Sequence, residues 1–426
     1  MIQIPRGTED VLPQESAKWQ YIENKLRSIC QVYNYQEIRT PVFEHTELFV
    51  RGVGDTTDIV SKEMYTFLDK SERSLSLRPE GTAGVVRSFV ENKLYADPQP
   101  TKLFYIEQMF RYERPKSGRL RQFTQFGVEA IGTNNPLIDA EVIALAYQAL
   151  KEFGLNNLRL EINSVGCPVC RPRHREELKL HLHEVKDELC EDCQARYERN
   201  PMRILDCKNE KCQTLTKDAP KMSDYLCDDC QRHHANVKKY LDIMNIPYVE
   251  NPRMVRGLDY YTQTAFEILE EKVGDAITIL GGGRYNGLIQ EVSDGKVEMS
   301  GIGFAVSIER ILLALKENNL DLPLSIGIDC YIAPLGEQAK TMAAQLAYDL
   351  RQQGFIVEQD FLDKKLKGQI KAADRLKAKY ILIIGDEEIA KEIIIVKDLA
   401  TGEQEEVGFT ELVKYFSNKI KRGDNK

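Results

Sequence analysis

No apolar run in the 426 residues approaches the length of a membrane span. YILIIG, from Tyr380 to Gly385, is about the longest, and no membrane association is expected. The opening residues, MIQIPRGTEDVLP, lack the basic-then-apolar pattern of a secretory leader, so a cytoplasmic location is expected. A positive excess is missing too: 58 Lys and Arg against 66 Asp and Glu leave a net charge of −8. That excludes a wholly basic nucleic-acid binder but leaves room for local basic patches. Cysteine is scarce outside one segment, since only Cys30 and Cys330 of the ten lie beyond residues 167–230. Disulfides are rare in a reducing cytosol, so such clustering points to metal before cross-links. The length suits two or three domains with a real core, and 42% hydrophobic against 29% charged residues is an ordinary soluble balance.

What the chain does contain centres on residues 102–131. FYIEQMFRYE and QFTQFGVEAIG are rich in aromatic and β-branched residues and suit two buried strands. RPKSGRLR between them, with Pro115, Gly118 and four basic side chains, reads as the tip of a long antiparallel hairpin. On a strand Arg111 and Glu113 share one face, as do Gln125, Gly127 and Glu129 on the return. Unpaired charge is costly to bury, so this face is expected to line a polar cavity.

Ala17, Ile22, Leu26, Ile29 and Tyr33 fall at helical spacing over residues 14–33. NYQEIRTPVFEHTELF reads as a strand, with Pro41 at an edge or boundary. LSLRPEGTAGVVRSFV runs from strand through turn to helix, where Glu80 and Thr82 either cap the helix or face a ligand ammonium. A helix over Ile138–Phe153 and a strand at LRLEINSVG follow. Then come CPVC (Cys167, Cys170), CEDC (Cys190, Cys193), Cys207 with Cys212, and CDDC (Cys227, Cys230). Two thiolates separated by two residues can bind one tetrahedral Zn²⁺, a second pair completing the shell; the alternative is a set of free, partly buried thiols. His233 and His234 read as solvated helix residues rather than spare ligands. VKKYLDIM continues as helix. In MVRGLDYYTQTAFEIL, Arg256 beside Tyr260 and Tyr261 forms either a core-edge ion pair or a ligand contact. LGGGRYNGL lacks the G-x-x-x-x-G-K-[ST] phosphate-loop pattern, and close approach of backbone to a ligand fits better. GIGFAVSIERIL is a small-residue strand entering a helix, with Arg310 in its first turns. Residues 325–426 alternate strands and helices, implying a separate α/β domain with a parallel or mixed sheet. Lys364, Lys365, Lys367, Lys371, Arg375, Lys377 and Lys379 gather around one strand–helix unit there, by default a solvated helix face.

FRYE, a basic loop and RQFTQFGVE together resemble motif 2 of class II aminoacyl-tRNA synthetases. With RPEGT, RGLDYY, IER and the opening PRGTEDVLP, the chain is most similar to the histidyl-tRNA synthetase family of bacterial type. The resemblance implies an α+β protein with an antiparallel-sheet catalytic core in two parts, 1–165 and 236–322. A helical cysteine-rich insert, 166–235, and an α/β anticodon-binding domain, 325–426, complete it. The implied activity joins L-histidine to ATP as histidyl-adenylate, then to the 3′ end of histidine tRNA. Arg111, Arg256 and Arg310 would be catalytic. Glu80, Gly81, Thr82, Arg111, Gln125, Glu129, Arg256, Tyr260, Tyr261 and Tyr285 would bind histidine. Arg111, Glu113, Arg119, Phe123 and Arg310 would bind ATP, with Mg²⁺. None of the six histidines lies in these motifs, so acid–base catalysis by a protein histidine is not expected. The strand–proline segment around Pro41 would build a homodimer interface. The insert departs from the family pattern, so Zn²⁺ on its eight cysteines would be a local stabiliser without a catalytic role. The alternative is a non-catalytic, histidine-sensing regulatory paralogue of ATP phosphoribosyltransferase. It typically lacks the C-terminal domain and some of the catalytic positions, and both are present here.

Overall fold

The computed structural model describes residues 2–54, 57–115, 118–271, 276–324 and 327–420. The chain divides into two compact units, residues 1–322 and 323–426. The first opens with helix α1 (Pro13–Val32), whose buried Ile22, Leu26 and Ile29 recur at helical spacing. The stretch around Pro41 is not one strand. It divides into β1 (Gln36–Glu37) and β2 (Phe43–His45), which belong to different sheets, and the residues after His45 wind into α2 (Thr46–Val53). Proline cannot donate to a ladder, and the break falls where Pro41 sits. Next come β3 (Thr66–Leu68) and β4 (Ser74–Leu77), which with β2 form a three-stranded sheet, and then α3 (Thr82–Glu91).

The hairpin strands are β5 (Thr101–Phe110) and β6 (Gln122–Ile131), paired from Thr101↔Ile131 to Phe110↔Gln122. Helix α4 (Pro136–Lys151) and β7 (Leu158–Ser164) follow. The insert carries short helices, among them α5 (Arg171–His183), α6 (Glu191–Arg199) and α7 (Glu210–Leu215), and returns through α8 (Asp228–Ile243). The chain then lays down β8 (Val249–Glu250), β9 (Thr262–Glu271), β10 (Ala276–Arg284), α9 (Leu288–Val292), β11 (Gly301–Ser307) and α10 (Ile308–Glu317). The large sheet runs β1-β5-β6-β11-β10-β9-β7-β8; its six central strands are antiparallel, and only the two outermost strands pair parallel.

The second unit is a five-stranded mixed sheet with helices, the α/β arrangement expected from its alternation. Its last strand, Gln404–Gly408, was not anticipated, because QEEVG lacks an apolar alternation. Lys365, Lys367, Lys371, Arg375 and Lys377 are exposed on and around the helix Leu366–Arg375. Among the described residues no helix is long and apolar enough to cross a membrane.

One face of the large sheet is core. Phe104, Val128, Phe304, Phe266 and Ile162 lie on a single row across it and belong to the main apolar cluster, which includes side chains of α1, α4, α8 and α10. Asp139 is fully buried beside this layer. Its carboxylate accepts from Arg284 Nη2 at 2.6 Å and Thr264 Oγ1 at 2.6 Å, and contacts His233 Nε2 at 2.8 Å. Burial opposes the charge, but Arg284 and His233 hold the Asp139 carboxyl below its ordinary value. His233 is therefore no solvated helix residue; it fixes α8 to α4. His234 pairs with Glu250 at 3.0 Å. Removing one member of a buried ion pair leaves the other uncompensated. Arg284→Met should cost about 3–5 kcal/mol in urea unfolding, with a smaller loss for His233→Gln.

Candidate active site in the sheet hollow

The opposite face of the sheet is hollow because its middle is built of small residues. One row across the strands reads Tyr105, Gly127, Ala305, Gly281, Glu267. The next reads Leu103, Glu129, Gly303, Gly283, Ala265. Side chains of the paired strands, and Arg256 from a distant segment, occupy the room the glycines leave. A Cβ on Gly127 would lie 2.1 Å from the Tyr105 ring, one on Gly281 2.3 Å from the Arg256 guanidinium, and one on Gly303 2.0 Å from Glu129 Oε2. The result is a cavity of about 360 Å³ with a mainly polar lining.

At one end sits Glu129, 1% exposed. Thr82 Oγ1 donates to one carboxyl oxygen at 2.7 Å and Tyr285 Oη to the other at 2.6 Å. Burial outweighs these bonds and raises the Glu129 carboxyl to about 8. Tyr260 packs edge-on to Tyr285 with centroids 6.0 Å apart, and Tyr261 lies beside Tyr260. Glu80 accepts the backbone N–H groups of Thr82 and Ala83 at 2.8 Å each, so it does cap α3, and its carboxyl also lines the cavity. Gln125 accepts from the Gly81 N–H and the Tyr105 hydroxyl, each at 3.2 Å.

Six residues along β6, roughly 20 Å of strand, lies Phe123, with the Arg111 guanidinium 5.3 Å from its ring centroid. Arg111 donates to the Pro79 carbonyl at 2.8 Å, and Arg119 pairs with Glu113 at 3.1 Å. Arg310, in the first turn of α10, donates to the Thr278 carbonyl. Burial pulls its guanidinium below the ordinary value, and so do the neighbouring Arg119 and Arg111. Arg256, from the segment before β9, pairs with Glu267 and lies over the Tyr261 ring at 5.5 Å.

Glu80, Thr82, Arg111, Glu113, Arg119, Phe123, Gln125, Glu129, Arg256, Tyr260, Tyr261, Tyr285 and Arg310 all line this one cavity. Gly81 does not line it; a Cβ there would strike Tyr105 at 2.3 Å, so its role is to admit that ring. Arg111 and Glu113 are not strand residues. Strand β5 ends at Phe110; the Arg111 N–H still donates to the Arg121 carbonyl at 2.9 Å, while its side chain reaches the Pro79 carbonyl. The glycine run of LGGGRYNGL is not a loop but the body of β10, and what approaches Gly281 is Arg256. Sequence reasoning missed Glu267 and Thr278, which look like ordinary strand residues, and Asp206 and Lys208 of the insert, which also line the cavity. The insert cysteines form two groups of four that could hold a metal, Cys167, Cys170, Cys227, Cys230 and Cys190, Cys193, Cys207, Cys212.

A family model described as histidyl-tRNA synthetase matches residues 7–170 and 175–311. A "Histidine--tRNA ligase" of Bacillus cytotoxicus is 56% identical over 98% of this chain and 99% of its own length. The chain belongs to the histidyl-tRNA synthetase family. A second family model, for an anticodon-binding domain, covers residues 329–419. "Histidine--tRNA ligase 2" of Bacillus cereus is 57% identical over 98% of this chain and 99% of its own. The apo histidyl-tRNA synthetase of S. aureus superimposes with a TM-score of 0.84 at 47% identity, covering 98% of this chain and all of that one. The α+β architecture, with its antiparallel core, cysteine-rich insert and C-terminal anticodon-binding domain, is thus that of a histidyl-tRNA synthetase.

Glu129 is not alone among the acids of this synthetase: burial also raises the carboxyls of Glu80, Glu270 and the half-buried Glu309. Glu309, whose Oε1 accepts from the Thr124 N–H at 2.8 Å, is raised by burial to about 7. Infrared difference spectra of the ligand-free protein between pH 6 and pH 9 should show protonated carboxylic acids titrating away, Glu129 and Glu309 among them. Glu129→Gln should remove the one with a midpoint near 8. Because the folded value lies above the ordinary 4.5, Glu129's contribution to stability is full below that pH and is lost as pH rises through about 8.

Proposed function

We propose that this chain is a histidine–tRNA ligase, forming histidyl-adenylate from L-histidine and ATP in the sheet hollow and passing histidine to the 3′ end of histidine tRNA. The observation that carries the reading is the division of the cavity. A buried carboxyl with two hydroxyl partners stands at one end, and Arg111, Arg119 and Arg310 crowd together at the other. A guanidinium held down by burial and by its neighbours, as Arg310 is, is relieved by a polyanion, and such forks match phosphate oxygens bidentately.

In this reading Glu129 and Tyr285 meet the two imidazole nitrogens, while Tyr260 and Tyr261 enclose the ring. Glu80, Thr82 and Gln125 receive the ammonium group. Arg256 and Arg111 hold the histidine carboxylate against the α-phosphate, so that a carboxylate oxygen attacks phosphorus and pyrophosphate leaves. Arg310 and Arg119 neutralise the departing phosphates, and Phe123 and Glu113 meet the adenine. Mg²⁺ accompanies the triphosphate as its counter-ion. Such a transfer depends on alignment and charge neutralisation and needs no covalent nucleophile. A pocket that pairs both ring nitrogens discriminates strongly against amino acids that leave those partners empty.

Residues 1–165 and 236–322 supply the catalytic core, 166–235 the insert, and 325–426 the anticodon-binding domain, whose exposed lysines suit an RNA backbone. A cytoplasmic homodimer is part of the proposal: Val42, Phe43, Phe67 and Leu68 expose apolar side chains on and beside the small sheet. A purely regulatory role is disfavoured by the full set of arginines in the hollow and by ligase relatives that match from end to end.

ATP–pyrophosphate exchange with purified protein should proceed with histidine and not with the other amino acids. Arg256→Ala should lower that exchange by at least about 100- to 1,000-fold while circular dichroism stays unchanged. Near-normal exchange in this variant removes the role given to Arg256; exchange supported equally by other amino acids removes the substrate assignment.

A further inference from the structure

The insert's eight thiols are gathered beyond what packing requires. No two are joined as a disulfide, yet within each group of four every sulfur lies within 4.8 Å of the others. Cys167 Sγ stands 3.5 Å from Cys170 Sγ and 3.9 Å from Cys227 Sγ, and Cys190 Sγ 3.8 Å from Cys207 Sγ. A tetrahedron of sulfurs bonded at about 2.3 Å to zinc has edges of about 3.8 Å. Backbone N–H groups also point at the sulfurs: Cys227 N donates to Cys170 Sγ at 3.1 Å, and Cys190 N to Cys212 Sγ at 3.2 Å. Donors aimed at sulfur stabilise thiolate and tune a metal's ligands. The insert's own apolar cluster is small, and α6 and α7, with nine and six residues, are too short to persist by themselves.

We propose that the insert binds two Zn²⁺ ions per chain in separate tetrathiolate sites with different jobs. The first, Cys167, Cys170, Cys227 and Cys230, closes the neck of the insert, joining residues 60 apart where the chain leaves β7 and enters α8. Its frame reaches the hollow: Arg171, next to Cys170, donates to the Val165 carbonyl at 3.0 Å and to the Tyr261 carbonyl. The second, Cys190, Cys193, Cys207 and Cys212, fixes the turn in which Asp206 and Lys208 flank Cys207 and line the cavity. Coordination exchanges four thiol protons for one divalent ion at each site, with no redox step. The proposal rests on the sulfur geometry and stands independently of the substrate assigned to the cavity.

The test counts metal in the full chain. Protein purified under reducing conditions without chelator should carry zinc which, added to any Co²⁺ it takes up afterwards, totals two per chain. Bound Co²⁺ should show intense thiolate-to-metal charge transfer and the visible bands of tetrahedral CoS₄. Cys167→Ser with Cys230→Ser should leave one equivalent, and so should Cys190→Ser with Cys212→Ser. A total of one or none in the unmutated protein, or Co²⁺ spectra without thiolate charge transfer, overturns the proposal. That count is decisive even where a serine variant fails to fold.

Discussion

The hollow exists because glycine and alanine occupy the centre of the sheet on one face. A side chain at Gly127, Gly281 or Gly303 would collide with Tyr105, Arg256 or Glu129 and fill the hollow. Each glycine instead admits a polar side chain from a neighbouring strand or a distant segment: Tyr105, Arg256 or Glu129. Glycine weakens a strand through its entropy and its lack of side-chain packing. The opposite face offsets that cost with a continuous apolar layer and with the Asp139, Arg284, His233 and Thr264 network. Stability and the site are thus divided between the two faces of the same strands.

That division explains why the polar groups come from so many places. A pleated strand offers the hollow only every second residue: β6 supplies Phe123, Gln125 and Glu129, β9 and β10 add Glu267 and Thr278, and other polar groups are carried in from outside the strands. The turn into α3 and its first residue bring Glu80 and Thr82, the segment before β9 brings Arg256, and the start of α10 brings Arg310. Backbone carbonyls steer two of the arginines. Arg111 is held by the Pro79 carbonyl and Arg310 by that of Thr278, which fixes the guanidinium groups without neutralising them. A carboxylate in either place would have removed the positive charge an anionic substrate requires.

Much of this was legible in the sequence. The hairpin could be read because its aromatic strands and basic loop differ so sharply in chemistry, and RPEGT, RGLDYY and IER each fell where the fold needs a turn or a helix start. Other features depend on tertiary partners that spacing does not encode. Arg111 and Glu113 looked like strand residues, but β5 ends at Phe110 and the Arg111 side chain is held by the Pro79 carbonyl. The run Gly281–Gly283 read as backbone closely approached by a ligand, and only the folded chain shows that the group packed against Gly281 is the Arg256 guanidinium. His233 looked solvated beside the polar Arg232 and His234, and its burial comes from Asp139 on another helix. Adjacent CxxC pairs suggested a metal, but not that the first and last pairs combine while the middle four form their own group.

The alternatives at Glu80, cap or ligand group, turn out not to compete. An ionised carboxylate has about four lone-pair sites, and two are used by the N–H groups of Thr82 and Ala83. Those bonds hold the oxygens at the rim of the hollow, while burial raises the carboxyl above its ordinary value. A substrate ammonium placed there adds an opposite charge to a group already oriented and poorly solvated, so binding stabilises the ionised form without any side-chain rearrangement. Glu129 follows the same logic with hydroxyls for partners. A raised carboxyl in an empty pocket can lose its proton as a ligand N–H arrives, which couples recognition of a nitrogen heterocycle to the charge of the pocket that holds it.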